Sequence, residues 1–314
     1  MGKASQTGTI RIGISGWRYA GWRGHFYPIG LAQRRELEFA AKTFSSVEIN
    51  GTFYSLQRPS SFQRWASETP SDFVFAVKGG RFITHMKKLV GVETALANFF
   101  ASGVLALGAK LGPFVWQVPP MMKFNEGAYD AARYESFFRL LPRTVRSAVR
   151  LAKRCDERML TRAFLKPTLK RGEDPPLRHA IEIRHDSFVQ PAFIELLKTH
   201  NIGLVVADTV EWPLLMDVTS DFAYLRLHGS ELLYFSGYEA DAIEMWAQRV
   251  VSFATGNLAE GRYAGTPLQD GRARDVYVYF DNDAEGRAPV DAQALVHRVK
   301  ELMRGLSATV PDTT

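Results

Sequence analysis

Eight short runs rich in β-branched and aromatic residues recur along the chain: 9–17 (TIRIGISGW), 46–54 (SVEINGTFY), 73–79 (FVFAVKG), 112–120 (GPFVWQVPP), 179–188 (HAIEIRHDSF), 202–208 (IGLVVAD), 222–229 (FAYLRLHG) and 275–283 (DVYVYFDND). Several are nearly continuous in apolar residues, as strands covered on both faces are. Between them, residues 31–44, 92–107, 191–200, 240–254 and 292–306 carry apolar side chains at helical spacing, and Pro191 suits a first helical turn. Eight strand–helix alternations in 314 residues, with no composition break or Pro/Gly/Ser linker, predict one closed (β/α)₈ TIM barrel rather than two doubly wound domains. The expected barrel domain is 10–306, between a flexible N-terminus at 1–9 and a flexible C-terminal tail at 307–314. Two connections, 119–178 and 229–274, exceed one helix; the first carries helical stretches at 133–141 and 145–160.

Composition narrows the class. With 46% hydrophobic and 23% charged residues, and no run near the ~18 apolar residues of a transmembrane helix, a membrane protein is not expected. The polar opening MGKASQTG lacks the apolar stretch of a secretory signal and predicts a cytoplasmic location. A single cysteine, Cys155, excludes an intrachain disulfide and Cys-rich metal centres; inside a helical stretch and bracketed by no motif, it reads as a packed thiol. The net charge of +6 has a local source: residues 143–171 hold ten Lys or Arg against two acids, and the rest of the chain is slightly acidic. Nucleic-acid contact would therefore fall on the extended basic fourth connection, for which a solvated helix face is the simpler account.

In such a barrel the active site is built at the C-terminal ends of the strands. These ends are unusually polar. Strand one ends at Gly16-Trp17; strand two supplies Glu48 and Asn50, strand three Lys78, strand four Gln117, strand five Glu182 and Arg184, strand six Asp208, strand seven Arg226 and His228, and strand eight Asp281 and Asn282. Glu48/Asn50, Glu182/Arg184 and Arg226/His228 are each two apart, so both members share a strand face, while their neighbours are apolar. Charged pairs opposite the apolar positions point into the barrel, where burial is costly unless the charges are paired or used. Two readings follow: an internal salt-bridge network, with Glu48, Glu182 and Asp208 against Lys78, Arg184 and Arg226, or a catalytic cluster. The loops add Tyr54, Arg81, Thr84, His85, Tyr234 and Tyr238.

These motifs, in order from GISGW and YAGWRGHFYP through RFITH and RHDSF to VYVYFDND, resemble the domain of unknown function 72 (YecE-like) family from about Ile10 to Leu302. The resemblance implies a TIM barrel of bacterial and archaeal cytoplasmic type, without an established activity. Its motifs fall here on Glu48, Asn50, Tyr54, Lys78, Gln117, Glu182, Arg184, His185, Arg226, His228 and Gly229. Two departures stand out: Asp281 occupies a position where the family has Asn, and the fourth connection is longer and more basic than the compact family form.

The residues are compatible with three chemistries. In the first, an enzyme acts on a small polar or anionic ligand, such as a sugar phosphate or nucleotide. Lys78, Arg184 and Arg226 hold the anion, and Glu48, Lys78, Glu182, Asp208 and His228 supply acid–base groups. Trp17, Asn50, Tyr54, Arg81, His85, Gln117, Tyr238 and Asn282 complete the binding set. A Schiff base at Lys78 would need a lowered pKa, for which the sequence offers no specific cause. No cofactor is expected. A second chemistry adds a divalent metal on Glu182, Asp208 and His228, as in isomerases or endonucleases built on related barrels, against the opposition of Arg184 and Arg226. In the third, a nucleic-acid-associated or non-catalytic binder uses residues 143–171 on phosphates and Trp17, Tyr19, Trp22, Phe26 and Tyr27 on bases. No Gly-rich phosphate-binding fingerprint is present.

Overall fold

The structure, a computed structural model, describes residues 7–125, 128–229, 237–282 and 286–308. Eight parallel strands close on one another in sequence order: β1 (Ile10–Ser15), β2 (Ser46–Ile49), β3 (Val74–Lys78), β4 (Leu111–Gln117), β5 (His179–Glu182), β6 (Gly203–Asp208), β7 (Phe222–Leu227) and β8 (Asp275–Phe280), with β8 paired to β1. Each lies within or against its expected run. The helices of eight or more residues among those described are α1 (Glu36–Thr43), α2 (Pro59–Ser67), α3 (Glu93–Ala101), α4 (Ala128–Leu140), α5 (Val145–Ala152), α6 (Pro191–Thr199), α7 (Ala240–Thr255) and α8 (Arg287–Ala308). Proline occupies the first turn of α2 and α6, where a missing N–H costs nothing. Gly256 ends α7 in the left-handed region at φ 79°.

The alternation fails once. β6 and β7 are joined without a helix, by residues 209–221, and the outer layer there is filled by the chain returning from α7. Met216 N–H donates to Arg262 O at 2.8 Å, and the Asp217 carboxylate accepts from the Ala264 and Gly265 N–H groups, each at 2.8 Å. The long seventh connection is therefore substitute cover for the sixth. The 145–160 stretch is likewise split: α5 stops at Ala152, Cys155 is buried in the following turn, and Asp156 caps a short helical turn by accepting Met159 N–H at 2.9 Å.

Gly8 N–H already donates to Ala254 O at 2.9 Å, and Thr9 N–H to the Asp275 carboxylate at 2.9 Å. Residues 1–6 and 309–314, within the termini expected to be flexible, lie outside the described residues. Among the described residues no helix is long and apolar enough to cross a membrane.

The core is in two parts. Outward-facing strand residues such as Ile14, Val47, Ile181, Leu225 and Leu227 pack against the helices. The lumen is filled by a separate plug that includes Val74, Ala76, Val115, Ala180, Val205, Phe222, Tyr224 and Tyr279. The barrel is thus a filled cylinder, and only the layer above this plug is available for chemistry.

Candidate active site

Alternate residues of each strand point into the lumen. At the C-terminal ends this alternation sets Ser15, Glu48, Lys78, Gln117, Glu182 and Arg226, with Asp281 one step beyond β8, above the apolar plug. Arg226 is the hub. Its guanidinium, with no exposed surface, donates to Glu182, to Glu48 Oε1 at 3.0 Å, to Asp281 Oδ2 at 2.7 Å and to Ser15 Oγ at 3.3 Å. The same Glu48 oxygen accepts from Ser15 Oγ at 2.6 Å, and its other oxygen from Tyr224 OH at 2.5 Å. Glu182 Oε1 accepts from Arg184 Nε at 2.8 Å, and the Arg184 guanidinium lies 3.7 Å over the Trp212 ring. His228, fully buried, meets Trp212 edge-on at 5.7 Å; its Nδ1 stands 3.3 Å from Asp281 Oδ2 and its Nε2 3.9 Å from Glu182 Oε2.

The electrostatics follow from this packing. Burial alone would raise the Glu182 and Asp281 carboxyls, but Arg226 and the neighbouring cations outweigh it and hold both well below the usual carboxylate range. Burial likewise opposes the Arg226 charge, and Glu182, Glu48 and Asp281 more than restore it. His228 is pushed down by burial against the pull of Asp281, so its imidazole is neutral at neutral pH.

Lys78 stands apart from this network. It is 8% exposed, with Nζ 4.8 Å over the Phe53 ring, and among the described residues its ammonium has no hydrogen-bond acceptor or carboxylate partner. Burial, and next the Arg226 charge, lower its pKa to about 8 despite the attraction of Asp281, Glu48 and Glu182. Lys78 faces an open cavity of about 730 Å³ that is also lined by Asn50, Tyr54, Arg81, His85, Gln117, Arg184 and Asp281. Gln117 is 5% exposed and its Oε1 has no partner among the described residues; Asn50 donates to Ser15 Oγ at 2.8 Å while its own Oδ1 is likewise without a partner among them. Arg81 lies over the Tyr54 ring at the rim. His85 accepts or donates at Thr84 Oγ1, 2.8 Å away, and burial followed by the charges of Arg184 and Lys78 lowers it to about 4. Asn50 and Tyr19 also border a smaller annex of about 310 Å³, where Trp17 meets Trp65 edge-on at 5.2 Å. Gly16, at φ 83°, makes the turn into this annex, and a Cβ there would stand 2.8 Å from Tyr19 Oη.

The expected residues therefore separate into three groups. Asn50, Tyr54, Lys78, Arg81, His85, Gln117 and Arg184 line the cavity and Trp17 the annex. Glu48, Glu182, Arg226 and His228 form the sealed layer beneath, so Arg226 cannot touch a ligand as its position on the strand had suggested. Asp208, Tyr238 and Asn282 face the helices instead. Asp208 accepts from Trp246 Nε1 at 3.0 Å, Tyr238 Oη accepts from Gly229 N–H at 3.1 Å, and Asn282 donates to Asp291 at 2.7 Å. Of Glu48, Lys78, Glu182, Arg184, Asp208, Arg226 and His228, expected to share one cavity, only Lys78 and Arg184 line it; Asp208 lies outside it and the other four lie beneath. The metal-holding trio of Glu182, Asp208 and His228 does not assemble, and among the described residues no three His, Cys, Asp or Glu side chains are placed to hold a metal ion. Trp22 and Tyr27, expected to stack bases, are buried with Phe26 in a ring cluster and present no stacking face. His185 caps a short turn by accepting Ser187 N–H. Tyr234 lies outside the described residues.

Asp281 is the principal residue missing from the expected catalytic and binding sets. Its signal was its spacing of two and four from Tyr279 and Tyr277, both lumen-facing, whereas Asn282 and Asp208 are out of step with the lumen positions of their strands. Phe53, in a single helical turn after β2, and Trp212, in the β6–β7 connection, flank Lys78 and Arg184 and carry no such signal.

The fold and this mouth define a (β/α)₈ barrel with a buried arginine–carboxylate layer beneath a cation-lined cavity. A family model, Protein of unknown function DUF72, matches residues 11–314, and the chain belongs to that family. The chain is 29% identical over 116 residues to UPF0759 protein YunF of Bacillus subtilis, covering 35% of this chain and 40% of that protein. It is also 29% identical over 110 residues to UPF0759 protein YecE of Escherichia coli K12, covering 35% of this chain and 38% of that protein. Among solved structures, a DUF72 family protein from Thermotoga maritima superimposes with a TM-score of 0.69 at 23% identity, covering 94% of this chain and 99% of that one. Another from Enterococcus faecalis gives 0.63 at 16% identity, covering 95% and 99%. These likenesses bear on the fold.

Proposed function

We propose that the protein is an enzyme acting by general acid–base chemistry on a small anionic ligand in the mouth cavity. The observation that carries this reading is the Lys78 ammonium, buried at the cavity without an ion-pair partner among the described residues, while three carboxylates close by are committed to Arg226. A structural role would have paired it, since an unpaired buried charge is costly. An arriving anion supplies the missing partner, with Arg81 at the rim as a second cation. The pKa of Lys78 is also lowered to about 8, close to a working pH. Thermal melts of the parent with phosphate, sugar phosphates and mononucleotides test the reading, and Arg81→Gln should weaken the binding found by about 1.5–3 kcal/mol. If none of these ligands shifts the melt beyond sodium chloride of equal ionic strength, the anion site is wrong.

A second reading rests on a separate surface. Arg146, Arg150, Lys153 and Arg154 are exposed and form no ion pair among the described residues. Their segment starts where Leu177 N–H donates to Arg143 O, just before β5 and so at the barrel end opposite the mouth. Phosphate backbones are what such a face attracts.

A further inference from the structure

We propose that Lys78 is a nucleophilic catalytic residue, whose amine condenses with the carbonyl group of a small anionic aldehyde or ketone to form an imine in the mouth cavity. The inference rests on the anion reading above for the charge of the ligand, and adds what is done to it. A lysine retained only to attract an anion works best as a fixed positive charge at an accessible rim, which is the placement of Arg81. Lys78 is set the other way. It is almost fully buried and, among the described residues, has no carboxylate within ion-pair distance to fix its proton. These conditions release a neutral amine, and the lone pair of that amine is the nucleophile. Its lowered pKa agrees with the geometry.

The surroundings match the remaining steps. Conversion of the ammonium to the amine releases a proton to solvent in the open cavity. Attack forms the C–N bond and breaks the carbonyl π bond, and a proton passes from the attacking nitrogen to the oxygen through solvent, giving a carbinolamine. The Gln117 carbonyl, buried at the same cavity with no partner, accepts the hydrogen bond of that new hydroxyl. Loss of the hydroxyl with a proton as water leaves the imine, so the step consumes no oxidant or reductant and releases one water. Glu182, held ionised by Arg226, favours the protonated imine that develops above it.

The full chain is incubated at pH 7.5 with pyruvate, glyoxylate or dihydroxyacetone phosphate, reduced with sodium borohydride, and read by intact mass and peptide mapping. A lysine with a pKa near 8 has on the order of a hundredfold more neutral amine at this pH than an ordinary one. The expected result is a single reduced adduct on Lys78, in excess over exposed lysines such as Lys42 and Lys170, that rises with pH to a half-maximum near 8 and is absent in Lys78→Arg. Labelling of Lys78 no greater than of Lys42 and Lys170 with every probe overturns the proposal, whether or not the variant folds. Stabilisation by inorganic phosphate without any Lys78 adduct would sink the covalent step and leave the anion site. Equal labelling by acetone and the anionic probes would keep the nucleophile and remove the anion site.

Discussion

Replacing Lys78 with methionine should make the protein more stable at neutral pH. The substitution keeps the length of the side chain over Phe53 and removes a buried charge that has no ion-pair partner among the described residues. In the unfolded chain the lysine titrates near 10.5, and in the folded protein near 8. The difference corresponds to about 3 kcal/mol held against folding while both forms are protonated. Below about pH 8 that cost is complete. As pH rises from 8 towards 10.5 the folded protein loses its proton first, and the cost disappears. The gain of Lys78→Met over the parent should therefore be about 3 kcal/mol at pH 7 and under about 1 kcal/mol at pH 10. Urea unfolding of both proteins at pH 7, 8.5 and 10 reads this difference directly, with equal m-values as the check on two-state behaviour. A variant less stable than the parent at pH 7, or a gap that does not narrow with pH, would refute the claim that the charge is unpaired and desolvated.

Arg226→Gln should behave in the opposite way: it strips the common partner from Glu48, Glu182 and Asp281 and should cost about 3–5 kcal/mol in the same unfolding measurement; a loss under about 1 kcal/mol would mean the network is not what holds the layer together. On the opposite end of the barrel, neutralising Arg146, Arg150, Lys153 and Arg154 together should lower the slope of log K against log salt by about 0.9 for each phosphate of duplex DNA that the variant no longer neutralises. An unchanged slope, or a parent that does not bind DNA at low salt, would leave these residues as a solvated helix face.

What the chain determined by itself is the barrel and the polarity of its mouth. Eight β-rich runs with undivided spacing leave few other closed arrangements, and all eight are strands in the structure. The two-residue spacing of Glu48/Asn50, Glu182/Arg184 and Arg226/His228 was enough to turn them inward, because a strand's side chains alternate. The same rule, applied to Asp208 and Asn282, would have turned both towards the helices and admitted Asp281. Spacing could not decide which charges cancel. Glu48 and Arg226 are 178 residues apart, and they meet only because closure of the sheet sets β2 across the lumen from β7. That closure commits Arg226 to three carboxylates from β2, β5 and the end of β8, seals Arg226, Glu48 and Glu182 from solvent, and leaves Lys78 on β3 without a carboxylate partner among the described residues. Strand periodicity is a local property readable along the chain, whereas the pairing and desolvation of charges depend on distances that exist only after the barrel has closed.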